Sequence, residues 1–358
     1  MLLDKTVAVV VPAYNEAKQI DRVLRTMPHF VDRIIVVNDC STDNTADVVL
    51  SYIKEDRAIG KVITQAHAKT EENQYDRAER LLKEKQQDDM RHYIPSEIAN
   101  TYPDTDRVIL INHLKNGGVG AAIARGYKWC LDHKIDCTAV MAGDGQMDPS
   151  ELEKICKPVL SEDIDYVKGN RLIHGSARLI IPKIRFFGNS MLSILTKIAS
   201  GYWHVSDTQS GYTAISLAAL NAIKIHDIYR SYGMPNDMLV KLNIAFCTIK
   251  EIKIKPVYDI GEISKMKVYK VIPRISWLLF KSFFKRLWLK YLFRDFHPLF
   301  LLYHFAIAVG IMALPYGLKV LTHTFSGETV SPTTMLAFFF LFTSSFQSLL
   351  FAMWMDIQ

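Results

Sequence analysis

Asp144 and Gln146 stand one residue apart in Thr-Ala-Val-Met-Ala-Gly-Asp-Gly-Gln-Met-Asp-Pro, residues 138–149. An apolar run that stops at small residues and then offers a carboxylate and an amide is how a buried strand delivers oxygen ligands to the lip of a sheet. On an extended chain the two side chains share one side. Two oxygen ligands suit Mg²⁺ or Mn²⁺, hard cations that also bind phosphate. The same residues would equally make a plain strand-to-helix turn, with Asp148-Pro149 opening the next helix.

Six further loops carry polar residues that could join them. Pro12-Ala13-Tyr14-Asn15-Glu16 and Asn38-Asp39-Cys40-Ser41-Thr42-Asp43 each close an apolar run. Helix capping accounts for Ser41 and Thr42 but leaves Tyr14, Glu16 and Asp39 without a purpose. Asn116-Gly117-Gly118-Val119-Gly120 precedes a helical stretch, where glycines permit close backbone approach to phosphate. Gly169-Asn170-Arg171 and Val205-Ser206-Asp207-Thr208-Gln209-Ser210-Gly211-Tyr212 supply Arg171 and Asp207. On local pattern alone these are a solvated base and a turn residue. Gly261-Glu262-Ile263-Ser264-Lys265-Met266 adds Ser264 and Lys265.

The elements between these loops alternate in kind. Thr6 to Val11, Arg33 to Val37, Val108 to Ile111 and Asp165 to Lys168 read as strands, and helices follow near Ile20, Asn44, Ala121 and Ser150. Strand, polar loop, helix in succession is the α/β signature, and such sheets bind ligands at the C-terminal ends of their strands. Ile180 to Ile198 reads as a largely apolar helix, and Thr248 to Tyr258 alternates as an edge strand would. Residues 64–106 are charged and poor in apolar anchors, and read as an inserted solvated helix without chemistry.

The 358-residue chain carries a net charge of +6, mild enough that placement matters more than size. Its five cysteines form no CxxC pair and read as reduced thiols. The first residues run straight into a strand with no signal-peptide pattern, so the catalytic part is expected in the cytosol. Leu299 to Leu321 and Thr333 to Met355 contain no acid, and each exceeds the roughly 20 residues that cross a hydrocarbon core. Before them lie Arg274, Lys281, Lys285, Arg286, Lys290 and Arg294 among tryptophans and phenylalanines. One straight helix would not segregate those charges, so two short interfacial helices with a bend near Lys285 are predicted, lying on an anionic cytoplasmic leaflet. The spans that follow exclude nucleic-acid binding as the use of this basic stretch. The positive-inside rule makes the pair a hairpin with the loop around Gly327 outside.

Together and in order, the loop motifs resemble the family 2 glycosyltransferases of GT-A fold. Within that family they look most like the polyprenyl-phosphate glycosyltransferases, relatives of dolichyl-phosphate mannose synthase. The carriers are Val-Pro-Ala-Tyr-Asn-Glu at 11–16, Asn-Asp-Cys-Ser-Thr-Asp at 38–43, Gly-Asp-Gly-Gln-Met-Asp-Pro at 143–149, Gly-Asn-Arg at 169–171, Asp-Thr-Gln-Ser-Gly-Tyr at 207–212 and Ser-Lys-Met at 264–266.

The resemblance implies a Rossmann-like mixed sheet with helices on both faces over residues 1–270, interfacial helices over 271–296 and a transmembrane hairpin over 297–358. It implies that Pro12, Ala13, Tyr14, Glu16 and Asp39 hold the nucleotide, with Asp39 near the base. Asp144 and Gln146 would bind Mg²⁺ or Mn²⁺ at the donor diphosphate. Arg171, Ser264 and Lys265 would meet phosphates of donor or acceptor, and Asp207 would lie beside the acceptor. The catalytic set is then Asp207, Arg171 and Lys265. The implied partners are a UDP- or GDP-hexose, polyprenyl phosphate and membrane lipids, with a homo-oligomer left open. The implied reaction is an inverting, metal-dependent hexosyl transfer to polyprenyl phosphate. The alternatives are transfer to a hydroxyl of another lipid or glycan, or a catalytically weakened membrane scaffold. Ala142 stands where the family usually has a carboxylate, and Val119 where a base is frequent.

Overall fold

The computed structural model describes residues 1–59, 77, 81, 89–181, 183–257 and 268–357. Uninterrupted valine, isoleucine and alanine runs are stable as strands only where both faces are covered. The first such run is β1 (Val7–Ala13), followed by β2 (Arg33–Asn38), the short β3 (Ser96–Ile98), β4 (Val108–His113) and β5 (Cys137–Val140). After them come β6 (Tyr166–Asn170), β7 (Thr213–Ser216) and β8 (Ile249–Lys253). They form one eight-stranded sheet in the order β3-β4-β2-β1-β5-β7-β6-β8. β4, β2, β1 and β5 are mutually parallel, β7 is antiparallel to both β5 and β6, and β8 runs parallel to β6. The C-terminal ends of β1, β2, β4, β5, β6 and β8 therefore share one edge of the sheet, and the loop entering β7 arrives at the same edge.

Helices cover both faces. Val7, Val9 and Val11 pack against α1 (Ile20–Arg25), α2 (Thr45–Ile59) and, beyond β5, α4 (Leu152–Ser161). Ala8 and Val10 face α3 (Val119–Asp132), while α7 (Leu217–Ala222) and α8 (Met234–Ile244) complete that core. Gly126 lets α3 settle onto β1, since a Cβ there would stand 2.4 Å from a Val10 methyl. Between β6 and β7 lie α5 (Ala177–Ile180) and α6 (Lys183–Ser200). The mixed, two-sided α/β sheet is the fold class expected from the sequence. Two strands were not foreseen: β7 is four residues long with polar ends, and β3, antiparallel to β4, lies within the stretch read as an insertion. The rest of that stretch up to residue 88 falls outside the described residues except at 77 and 81.

Beyond the sheet the chain forms α9 (Val268–Trp288), a π-helical turn Leu289–Arg294, α10 (Pro298–Ser326) and α11 (Pro332–Ile357). α10 and α11 are antiparallel: Ser345 Oγ donates to the Ala306 carbonyl at 2.7 Å, and Gly317 lies against Phe338. Their outer surfaces expose Leu301, Phe305, Ile311, Leu336, Phe340 and Phe346, a continuous apolar cover that water would not tolerate. Both exceed the length and hydropathy needed to cross a bilayer.

The expectation of two short helices bent near Lys285 is corrected. α9 continues unbroken through Lys285 and Arg286. Two of the charges that seemed to spoil a single amphipathic helix, Arg286 and Lys290, turn inward, while Lys285 stays half-exposed. Arg286 is fully buried, Lys290 donates to Asn243 Oδ1 at 2.9 Å, and Lys285 pairs with Asp227 at 3.1 Å. These bases hold protein rather than lipid. Trp277 and Phe280 remain exposed on α9, with the Lys281 ammonium 5.2 Å from the Trp277 ring centre.

Candidate functional site

The loops after β1 and β2 are clasped together by short polar side chains. Asn15, in the left-handed region at φ 57°, donates its N–H to Ser41 Oγ at 2.9 Å and accepts from Thr42 N–H at 2.8 Å. Glu16 N–H donates to Thr45 Oγ1 at 2.9 Å and Ala17 N–H to Asp43 Oδ2 at 3.1 Å. Asp43 also accepts from Thr45 N–H, so Asp43 caps α2 where Ser41 or Thr42 was expected to. Pro12 and Ala13 end β1, and Tyr14 and Glu16 follow at the rim, Tyr14 39% exposed. The five residues predicted to hold a nucleotide thus gather on one stretch of the sheet edge.

Asp39 is the buried member of that group. Its carboxylate accepts from Gly117 N–H at 2.8 Å and Gly118 N–H at 2.7 Å, and lies 2.7 Å from His113 Nδ1. Burial pushes the Asp39 carboxyl up, but the His113 hydrogen bond and the two glycine N–H groups outweigh it and hold it below the usual carboxylate range. The glycine motif is consequently not the open phosphate cradle that its composition suggested. Gly120 N–H donates to the Arg230 carbonyl at 2.9 Å, and a Cβ on Gly118 or Gly120 would collide with the Arg230 or Tyr229 carbonyl oxygen. These glycines admit another backbone, and Asp39 fixes their loop. His113, the last residue of β4, was missed by sequence reasoning because nothing local separates it from any strand-end histidine.

Asp144 and Gln146 follow β5 at the centre of the same edge. They do not share one side of an extended strand as expected. The chain turns through Gly145 at φ 75°, and Asp144 Oδ1 accepts the Gln146 N–H at 3.0 Å. Both side chains are half-buried. Among the described residues no group of three or more acidic, histidine or cysteine side chains converges. One carboxylate and one amide oxygen fit a hard cation that takes its remaining ligands from phosphate and water, as Mg²⁺ commonly does. At the departure from the family pattern, Ala142 N–H points to the Met147 sulfur at 3.2 Å.

Arg171 and Asp207 are brought together from β6 and the loop before β7. Arg171 Nε and Nη2 reach Asp207 Oδ2 and Oδ1 at 2.9 and 3.1 Å, and Arg171 N–H adds a third bond at 3.0 Å. The Asp207 side chain is wholly buried while Arg171 keeps 22% exposure at the sheet edge. Burial pushes the Asp207 carboxyl up, but the Arg171 charge and hydrogen bonds, with the Lys168 charge, hold it below the usual carboxylate range.

Three residues to which the sequence reading gave no role support this pair. Glu251 on β8 accepts from Ser206 N–H and Asp207 N–H, both at 3.0 Å, and from Asn170 Nδ2 at 2.7 Å. Asn170 Oδ1 accepts from Leu172 N–H at 2.9 Å, shaping the turn that carries Arg171. Lys168, fully buried, donates to the Ser210 carbonyl. The alternation of β8 signalled Glu251 as an inward or outward residue, but not which neighbour it serves. Ser264 and Lys265 lie outside the described residues.

The profile described as glycosyl transferase family 2 matches residues 8–80 and 88–224, more than half of the chain. A UDP-N-acetylglucosamine–dolichyl-phosphate N-acetylglucosaminyltransferase of Methanococcus voltae is 28% identical over 258 residues, 72% of this chain and 88% of that one. An undecaprenyl-phosphate mannosyltransferase of Micrococcus luteus is 27% identical over 132 residues, 37% of this chain and 53% of that one. Among solved structures, glucosyl-3-phosphoglycerate synthase from Mycobacterium tuberculosis, in complex with Mn²⁺, UDP and glucosyl-3-phosphoglycerate, aligns with a TM-score of 0.48 at 16% identity, covering 79% of this chain and 80% of that chain.

Proposed function

The chain belongs to glycosyl transferase family 2, and from that membership we propose that it is a membrane-bound, inverting enzyme moving a hexose from a nucleotide sugar to polyprenyl phosphate. The observation that carries the choice of acceptor is the state of Asp207. A hydroxyl acceptor needs a general base, and Asp207 is the carboxylate nearest that role. Buried, doubly bonded to Arg171 and held below the ordinary carboxylate range, it is a poor proton acceptor. A lipid phosphate needs none, because it is already largely ionised near neutral pH, with a second pKa of about 6.

In this reading the residues of the β1 and β2 rim hold the nucleotide, and Asp39 keeps the wall behind it in shape. Asp144 and Gln146 would hold Mg²⁺ or Mn²⁺, which when bound neutralises the diphosphate leaving group. An oxygen of the lipid phosphate attacks the anomeric carbon. The bond from that carbon to the diphosphate oxygen breaks, and its electron pair leaves with the nucleoside diphosphate. Asp207 presents the Arg171 guanidinium to the acceptor phosphate, and guanidinium pairs with phosphate in a two-pronged geometry. The acceptor's chain has a surface to approach along. Phe187, Met191 and Ile194 are exposed at helical spacing on α6, and Trp277 and Phe280 on α9. Both outer ends of the hairpin would then lie on one side of the bilayer, and the basic flank supports the cytoplasmic side.

The test is release of nucleoside diphosphate from a panel of UDP- and GDP-sugars, with Mn²⁺ and polyprenyl phosphate in lipid nanodiscs. A lipid product cleaved by mild acid is expected. An acid-stable product would favour a hydroxyl acceptor, and no release with any donor would favour a scaffold. Full activity in Asp144→Ala would remove the metal assignment.

A further inference from the structure

We infer that Arg286 and Asp356 are positioning residues that lock the membrane hairpin to the loop carrying Asp207. The inference deepens the proposed transfer reaction and rests on that reading for its kinetic half. Arg286 of α9 meets Asp356 in the last turn of α11 through two bonds, Nη1 to Oδ1 at 2.7 Å and Nη2 to Oδ2 at 2.8 Å, with no exposure on either side chain. Tyr291 Oη donates to Asp356 Oδ1 at 2.8 Å from the π-helical turn. A residue at the membrane end of the chain is thus tied to the juxtamembrane helix by charge and hydrogen bonds shielded from water.

Arg286 also reaches the catalytic part. Its Nη2 donates to the Ile198 carbonyl at 3.1 Å, in the last turn of α6. Gly201 ends that helix at φ 76°, and a Cβ there would stand 2.2 Å from Arg286 Nη1. The termination of α6 is therefore shaped around the guanidinium. The other side of α6 backs the Asp207 loop. Ser193 Oγ lies 3.1 Å from Thr208 Oγ1. Thr196 Oγ1 and Gln209 Nε2 both donate to Asn236 Oδ1, at 3.1 and 2.8 Å. A continuous chain of polar contacts runs from Asp356 through Arg286 and α6 to Thr208 and Gln209, the two residues that follow Asp207.

Removing the Asp356 charge leaves a guanidinium buried without a counter-ion, and it must seek water. α6 then loses the anchor at its end, and the loop it backs loses its fixed wall. The seated last turn of α11 thus adds a second restraint on the Asp207 loop, from the α6 side, to the Glu251 bonds that hold its other side.

The experiment uses the full chain in lipid nanodiscs and two variants, Asp356→Asn and Gly201→Ala. The second crowds the guanidinium and strains the left-handed backbone at the end of α6 without removing a charge. Hydrogen exchange is read at residues 205–212 and, as an internal reference, at β2; transfer kinetics are read in parallel. The expected result in both variants is about tenfold faster exchange at 205–212 with β2 unchanged. With it should come a kcat about tenfold lower and a nucleotide-sugar KM within about twofold of wild type. Asp356→Glu should recover part of both losses. Unchanged exchange at 205–212 in both variants, or an increase spread equally over β2, overturns the lock. Exchange needs no substrate, so it decides the lock even if wild type transfers no sugar to polyprenyl phosphate, which would instead refute the proposed reaction.

Discussion

Two of the chain's arginine–aspartate pairs are each held by two side-chain hydrogen bonds and differ in burial and in the guanidinium edge used, Nε and Nη2 in Arg171 against Nη1 and Nη2 in Arg286. Arg171–Asp207 joins at 2.9 Å with 22% of the arginine exposed, and Arg286–Asp356 joins at 2.7 Å with none. Each aspartate is fully buried, so the difference lies in the cation. In the proposed reaction a guanidinium that still sees solvent can trade its carboxylate for an incoming phosphate. One that sees no solvent has no such alternative, and its pair acts as a rivet. In the proposed reading one two-pronged contact serves presentation at the site and the other attachment at the membrane, and they differ in solvent access and in the guanidinium edge engaged.

Breaking the sealed pair should have the largest effect. Asp356→Asn removes the counter-charge of Arg286 and is expected to weaken the local seating of α11 on α9 and α6 by about 3–5 kcal/mol, leaving the sheet's own stability unchanged. A separate early step in thermal unfolding in nanodiscs, ahead of an unchanged main transition, checks this. Breaking the Arg171–Asp207 pair should act on rate instead. Arg171→Lys keeps the charge and loses the planar fork, and kcat/KM toward polyprenyl phosphate is expected to fall about a hundredfold with little change in midpoint. A large midpoint loss from Arg171→Lys would erase the distinction between the pairs.

A third substitution lies on the donor side, away from both. Asp39→Asn keeps one acceptor for the Gly117 and Gly118 N–H groups but turns an amide donor toward the other. The nucleotide-sugar KM is expected to rise about tenfold with kcat nearly unchanged. A drop in kcat alone, measured by steady-state kinetics, would move Asp39 from shaping the donor pocket to acting on the transition state.

The contrast between the pairs also explains what the sequence could disclose. β1, β2 and β4 were legible because a strand covered on both faces has to be apolar throughout, and Thr6 to Val11 is. The loops were legible because polar residues closed each of those runs. Arg171 and Asp207 lie 36 residues apart, and no local pattern states that they meet. Arg286 and Asp356 lie 70 apart. Read locally, Arg286 disturbed the amphipathic pattern of α9, and the pattern was therefore split into two helices. Its partner is at the far end of the chain, so the disturbance was itself the trace of a long-range pair. The glycine motif misled for a related reason. Room beside a glycine is the same signal whether a phosphate or the Tyr229–Arg230 backbone fills it.

The smallest effect expected concerns Lys168, the buried cation that neighbours the Arg171–Asp207 pair. Its ammonium donates to the Ser210 carbonyl, and Asp207, Glu251 and Arg171 are the charges that face it. Burial pulls the Lys168 ammonium from 10.5 down to about 8, with Asp207 pulling the other way. Between those values the unfolded chain binds more protons than the folded one, so this residue adds stability as pH rises from about 8 toward 10.5. Below about 8 its full burial cost is present. Catalysis should run in the opposite direction. Losing the ammonium charge above about 8 leaves Asp207 to hold Arg171 more tightly, and an arginine held more tightly answers phosphate less readily. The expected pH profile of kcat/KM therefore has an alkaline limb near 8, which Lys168→Met should flatten, together with loss of the alkaline gain in thermal midpoint. A limb that persists unchanged in Lys168→Met would show that the exchange of Arg171 between carboxylate and phosphate is set without this lysine.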